Sequence, residues 1–130
     1  MMQSNLQPVR LTVTQALIDE YAILSEDFNP IHVDPEFAAA APTGGIIAHG
    51  TLSLNLIWQS LEETFEHQPG DAIISEVRFK EPVRINDELV AGGSAKDENV
   101  FQVWVRNQTG SNVIEGVAQL RRGAAKSKDI

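Results

Sequence analysis

The sequence contains no cysteine, which excludes disulfides, thiolate nucleophiles and cysteine-ligated metals as sources of stability or chemistry. Positive charge is also scarce. Ten Lys and Arg stand against eighteen Asp and Glu, a formal net charge of −8, and Arg121, Arg122, Lys126 and Lys128 all fall in the C-terminal stretch. Nucleic-acid binding depends on clustered cations that displace counterions from phosphates, so no nucleic-acid partner is expected. Long apolar runs are missing too. The longest apolar-rich stretch, about Ile46 to Trp58, is interrupted by His49, Thr51, Ser53 and Asn55, and is too polar and too short to cross a bilayer. The opening M-M-Q-S-N-L-Q-P-V-R carries no basic region followed by an apolar run, so neither a secretory signal nor a membrane partner is expected, and a cytoplasmic location is the default.

The remainder is ordinary for a globular chain. Hydrophobic residues make up 42% and charged residues 22% of 130 positions, enough for one core and too little for two. No repeat or linker divides the chain, so a single domain is expected over 1–123, with 124–130 as a flexible C-terminal tail.

Alternation over 8–13 (P-V-R-L-T-V) predicts a first strand. Thr14 is placed to cap a helix whose Leu17, Ile18, Tyr21 and Leu24 share a face, ending near Asp27 because Pro30 biases Asn29 away from helical backbone. Asp34-Pro35 predicts an N-cap and first helical residue, hence a short helix over 35–41 closed by Pro42, Gly44 and Gly45. A longer helix follows from His49 to about Glu66. Its first half is apolar on most sides, which marks a buried helix. Strands then alternate over 73–80, from Leu89 to about Lys96, over 101–106 and across Ile114, Gly116, Ala118 and Leu120, with turns at Asn86-Asp87 and Thr109-Gly110. One buried helix followed by an antiparallel meander predicts an α+β domain.

Two segments concentrate polar chemistry in apolar surroundings: S-E-D-F-N-P-I-H at 25–32 and I-A-H-G-T at 47–51. Asp27 and His32 lie too far apart for one helical face, but a proline turn can bring them together. Asp27 and Asn29 are equally suited to turn hydrogen bonds, with His32 structural. Gly50 opens the buried helix, where unpaired N–H groups and the dipole favour an anion or a developing oxyanion. Close packing is the other reason for a glycine there. His32, Asp34 and His49 lack the tight spacing of a metal site, so no metal is expected. Ser25 and Ser53 lack a nucleophile-elbow setting. Arg78, Lys80 and Arg84 are close in sequence, as phosphate contacts or as solvated strand residues.

Y-A-I-L-S-E-D-F-N-P-I-H-V-D-P-E-F-A followed by G-G-I-I-A-H-G-T-L resembles the signature of the MaoC-like (R)-specific enoyl-CoA hydratases, and F-K-E-P-V-R-I-N-D-E-L at 79–89 resembles a later segment of that family. The resemblance implies a single hot-dog domain, an antiparallel sheet of about five strands wrapped around a long central helix. It implies hydration of trans-2-enoyl-CoA to (R)-3-hydroxyacyl-CoA, or the reverse, with no cofactor because CoA is part of the substrate. Asp27 and His32 match the acid–base pair, Asn29 and His49 supporting residues, and Gly50 the oxyanion-hole glycine. By spacing, Trp58 stands at the acyl pocket, where some relatives carry serine. Glu26 and Asn86 stand where glycine is commoner. Arg78, Lys80 and Arg84 become candidates for the CoA phosphates. Apolar residues on both faces of the last strands, Trp104 opposite Phe101, add to the implied homodimer. A hot-dog acyl-CoA thioesterase and a non-catalytic acyl-CoA-binding domain are the alternatives.

Overall fold

The computed structural model describes residues 5–66 and 68–123; the expected tail at 124–130 lies outside them. The elements are β1 (Val9–Thr12), α1 (Gln15–Ser25), α2 (Pro30–Val33), α3 (Pro35–Ala40), α4 (Gly50–Thr64), β2 (Ala72–Phe79), β3 (Glu88–Asp97), β4 (Val100–Arg106) and β5 (Asn112–Arg121). They form one antiparallel sheet ordered β1-β3-β4-β5-β2, with α4 packed against β1, β3 and β4. The expected α+β architecture of a five-stranded sheet around a buried helix is what forms.

The sequence pattern explains each surface of the core. Along β4, Phe101, Val103 and Val105 are buried, while Gln102, Trp104 and Arg106 alternate onto the outer face. Leu52, Leu56, Ile57 and Leu61 of α4 meet that inner face with Leu89, Ala91, Ile114 and Ala118. Their near-complete removal from water is the main stabilising term, about 1.5–3 kcal/mol for each large aliphatic or aromatic side chain. Ser60, also fully buried on α4, donates its hydroxyl to the Gln7 carbonyl, and so ties the N-terminal segment to the helix.

Two expectations need correction. The sheet is not a meander throughout, because β2 pairs with β5 at one edge rather than with β3. Alternation reveals which face a strand buries, not which strand it pairs with. Gly116 permits this pairing: a Cβ there would lie 2.6 Å from the Val77 Cα. Leu24 does not join the buried face of α1, being 80% exposed. The buried stripe runs through Ile18 and Ala22, and Leu24 lies roughly 120° round the helix from Ile18 at 3.6 residues per turn.

Candidate active site

The end of α1 and the start of α2 place the first two groups. Thr14 caps α1, accepting the Leu17 N–H at 3.1 Å. At the other end Glu26 adopts a left-handed conformation (φ 58) and turns the chain sharply, and the Asp27 N–H returns to the Ala22 carbonyl at 3.1 Å. This is the position where glycine is commoner in the family that the sequence resembles. Asn86, the other such position, also has positive φ (74). Asp27 Oδ1 accepts the Asn29 N–H at 3.2 Å, and Asn29 Oδ1 accepts the Ile31 N–H at 3.1 Å, capping α2 ahead of Pro30. The expected site residues Asp27 and Asn29 are therefore also the residues that make the turn. The Asx bonds build the short helix that carries His32.

His32 donates Nδ1–H to the Ile47 carbonyl at 2.7 Å. In the neutral ring this leaves Nε2 as a bare acceptor, and Nε2 lies 4.0 Å from Asp27 Oδ2. His49 donates Nε2–H to the Asp27 backbone carbonyl at 3.0 Å and stacks on His32 with ring centroids 3.8 Å apart and planes at 27°. Tyr21 packs its ring edge-on against His49 at 5.1 Å and donates its hydroxyl to Thr51 at 2.7 Å. The two imidazoles are buried, whereas the Asp27 side chain is 52% exposed. The structure thus brings Asp27, Asn29, His32 and His49 into one cluster. The Asp27 carboxylate is its open acceptor, while His49 Nδ1 is buried with no hydrogen-bond partner.

Gly50 is the first residue of α4, whose N-cap, His49, makes no side-chain capping bond. The caps of α1, α2 and α3 (Thr14, Asn29, Asp34) each accept a backbone N–H. The N-terminus of α4 therefore keeps its leading donors, with the positive end of the dipole, available to an external acceptor.

Asp27, His32 and His49 each offer a ligand atom, all within 4.8 Å of one another. His32 Nδ1 and His49 Nε2 are engaged with carbonyls. One nitrogen of each ring, His32 Nε2 and His49 Nδ1, is left without a carbonyl partner.

A cavity of about 310 Å³ opens beside Gly50, lined among others by Ile47, Ser53, Phe79, Val83 and Ile114. Trp58 does not line it. Its indole is on the outward side of α4, 38% exposed, so the expected acyl-pocket tryptophan is not at this cavity. The residue that α4 brings there is Ser53, one turn after Gly50, and Trp58 lies roughly 140° round the helix from Ser53. The three basic candidates do not form one patch. Lys80 lines the cavity and lies 3.9 Å from Glu115. Arg78, in register with that Glu115, lines a broader hollow of about 670 Å³ on the outer sheet face. Arg84 lies beside Gly45. The outer hollow is remote from the histidines and is lined by charged and amide side chains around Trp104, which Arg106 covers at 4.1 Å.

The family model of the MaoC-like domain matches residues 2–117. The chain belongs to the MaoC-like family. Its sheet around α4 is the hot-dog fold of the solved structures it matches. The MaoC-like chain is 26% identical to an unliganded R-hydratase from Pseudomonas aeruginosa, with a TM-score of 0.79 over 95% of this chain and 82% of that one. It is 37% identical over 76 residues to an (R)-specific enoyl-CoA hydratase from Aeromonas caviae, covering 58% of this chain and 57% of that protein. It is 34% identical over 88 residues to 3-hydroxyacyl-thioester dehydratase Z from Mycobacterium tuberculosis, covering 65% of this chain and 58% of that protein. The matched segment thus spans under two thirds of these two relatives. Among the described residues no helix is long and apolar enough to cross a membrane.

Sequence reasoning missed Tyr21, Ser53 and Phe79 as neighbours of the site. For Ser53 a signal existed, since a residue three after Gly50 on a helix shares its face. Phe79 sits at the far end of β2, and only the tertiary fold lays its ring against Gly50.

Proposed function

We propose that this MaoC-like domain hydrates trans-2-enoyl-CoA thioesters to (R)-3-hydroxyacyl-CoA, or runs the reverse dehydration, with Asp27 and His32 as the acid–base pair. The observation that carries the reading is the 4.0 Å separation between Asp27 Oδ2 and the bare Nε2 of His32. A water about 2.8 Å from each acceptor would see them at an angle of roughly 90°, close to its own bond angle. It would donate one proton to each group and turn a lone pair outward. Proton transfer through one such water is within the reach required of a general base.

In the forward direction Asp27 takes a proton as the water oxygen bonds to C3. The C2–C3 π electrons move toward the thioester, and negative charge gathers on its carbonyl oxygen. The N–H of Gly50 and the α4 dipole stabilise that oxygen. The proton is then delivered to C2 from the same side, so Asp27 and His32 end as they began. His32 holds the water, and His49 positions Asp27 through its backbone carbonyl. The names of the hydratase and dehydratase relatives support the same reading, as does the A-H-G junction at the start of α4.

The working unit in this proposal is a homodimer. Asp27 is half exposed, and the edge strand β2 presents Ile74 and Phe79 at 44% and 56% exposure, surfaces that a second copy would cover. Crotonyl-CoA turnover tests the proposal. Loss of enoyl absorbance without thiol release supports hydration. Release of free thiol would make the protein a thioesterase, and neither signal would leave a binding domain.

A further inference from the structure

Resting on the hydratase reading, we infer that the cavity beside Gly50 is an acyl site for short chains that carry a neutral hydrogen-bonding oxygen at their far end, with Ser53 as the group that recognises it. Ser53 is 2% exposed and lines this cavity, and its hydroxyl has no hydrogen-bond partner. Ser60, two turns further along α4, is equally buried, but its hydroxyl is satisfied by the Gln7 carbonyl. A buried hydroxyl without a partner is costly and rare in a folded protein. One turn of helix separates Ser53 from the Gly50 donor, so a thioester oxygen held at Gly50 leaves the chain's fourth and fifth atoms within reach of the hydroxyl.

The rest of the cavity fixes the size and charge of the occupant. Its volume of about 310 Å³ is at the small end of the roughly 300–1,000 Å³ found for small-molecule sites. The Phe79 ring closes it over Gly50, so near that a Cβ on the glycine would lie 2.9 Å from Phe79 Cε1. The aliphatic lining (Ile47, Val83, Ile114) offers a carboxylate no partner. The one cation, Lys80, already faces Glu115, and Glu81 adds negative charge at the rim. Burying a charge unpaired is prohibitive, whereas a hydroxyl or keto oxygen needs only the one hydrogen bond. A hydrocarbon chain would leave the Ser53 hydroxyl unsatisfied, and sites built to bond a substrate oxygen discriminate strongly against analogues that lack it.

Saturated acyl-CoAs test the site independently of turnover. 4-Hydroxybutyryl-CoA and pentanoyl-CoA differ only by a hydroxyl in place of a methyl, and calorimetry on the full chain gives their dissociation constants. We expect the hydroxylated ligand to bind about tenfold more tightly. In Ser53→Ala the ratio should fall to about one, with an undiminished melting temperature because no internal hydrogen bond is lost. Equal affinities in the unmodified protein, no binding of either ligand, or a ratio unchanged in Ser53→Ala would overturn the inference. A markedly lower melting temperature in Ser53→Ala would do so as well, by assigning the hydroxyl a structural role. Crotonyl-CoA turnover in the same preparation separates this failure from failure of the hydratase reading.

Discussion

Replacing Gly50 with alanine separates a glycine needed for chemistry from one needed for packing. Gly50 is the first residue of α4 and its φ is not positive, so alanine is conformationally allowed and gains up to about 1 kcal/mol of helix propensity. The new methyl would meet the Phe79 ring at 2.9, 3.2 and 3.5 Å, so the ring must retreat by roughly half an ångström to reach ordinary contact. Phe79 is 56% exposed in the single chain, and moving its ring costs about 0.5–1.5 kcal/mol if it is driven off its rotamer. The two terms offset each other, and urea unfolding should place Gly50→Ala within about 1 kcal/mol of the unmodified protein. The methyl would, however, stand in the approach of the thioester oxygen to the Gly50 N–H. Loss of one such donor typically lowers kcat by about 10²–10³, and crotonyl-CoA hydration should fall by that order. A destabilisation above about 2 kcal/mol would mean that the glycine serves packing. Unimpaired hydration would refute its place at the oxyanion.

Other outcomes follow from single contacts. Glu26→Gly should stabilise the fold by about 0.5–1 kcal/mol, since only the left-handed backbone at φ 58 is at issue, and this is measurable as a raised urea midpoint. Trp58→Ala should leave the preference among trans-2-enoyl-CoAs of four to twelve carbons unchanged, because the indole is outside the Gly50 cavity; a shift toward longer chains would return it to the site. Chelator treatment followed by dialysis should leave crotonyl-CoA turnover intact. Loss of activity restored by a divalent cation would show that the Asp27–His32–His49 cluster chelates after all.

Local chemistry carried most of the legible information. Thr14 and Asp34-Pro35 each announce a helix start, and each is found capping one; Asn29-Pro30, expected only to end the first helix, also caps the short α2. Period-two alternation separated Phe101, Val103 and Val105 from Trp104 on β4. The D-x-N-P-I-H and A-H-G segments pointed to one cluster, and the structure joins them through His32 to Ile47 and His49 to Asp27. What stayed hidden depends on non-local placement. The position of β2 beside β5 is set by the close approach at Gly116. Spacing along the chain put Trp58 at the acyl end, yet the turn of the helix brings Ser53, not Trp58, to the cavity beside Gly50. Closeness in sequence suggested a phosphate patch, but Arg78, Lys80 and Arg84 follow backbone directions that part after β2.

In the proposed reaction Asp27 takes a proton from a water added across an enoyl thioester, and His32 holds that water. Crotonyl-CoA hydration by Asp27→Asn and His32→Ala, measured beside the thermal unfolding of each variant, tests it most directly. A fall in kcat of at least about 10²–10⁴ is expected for each with cooperative unfolding retained; Asp27 is half exposed, whereas loss of the buried His32 and its bond to the Ile47 carbonyl also lowers the unfolding temperature. Near-normal turnover by Asp27→Asn would contradict it.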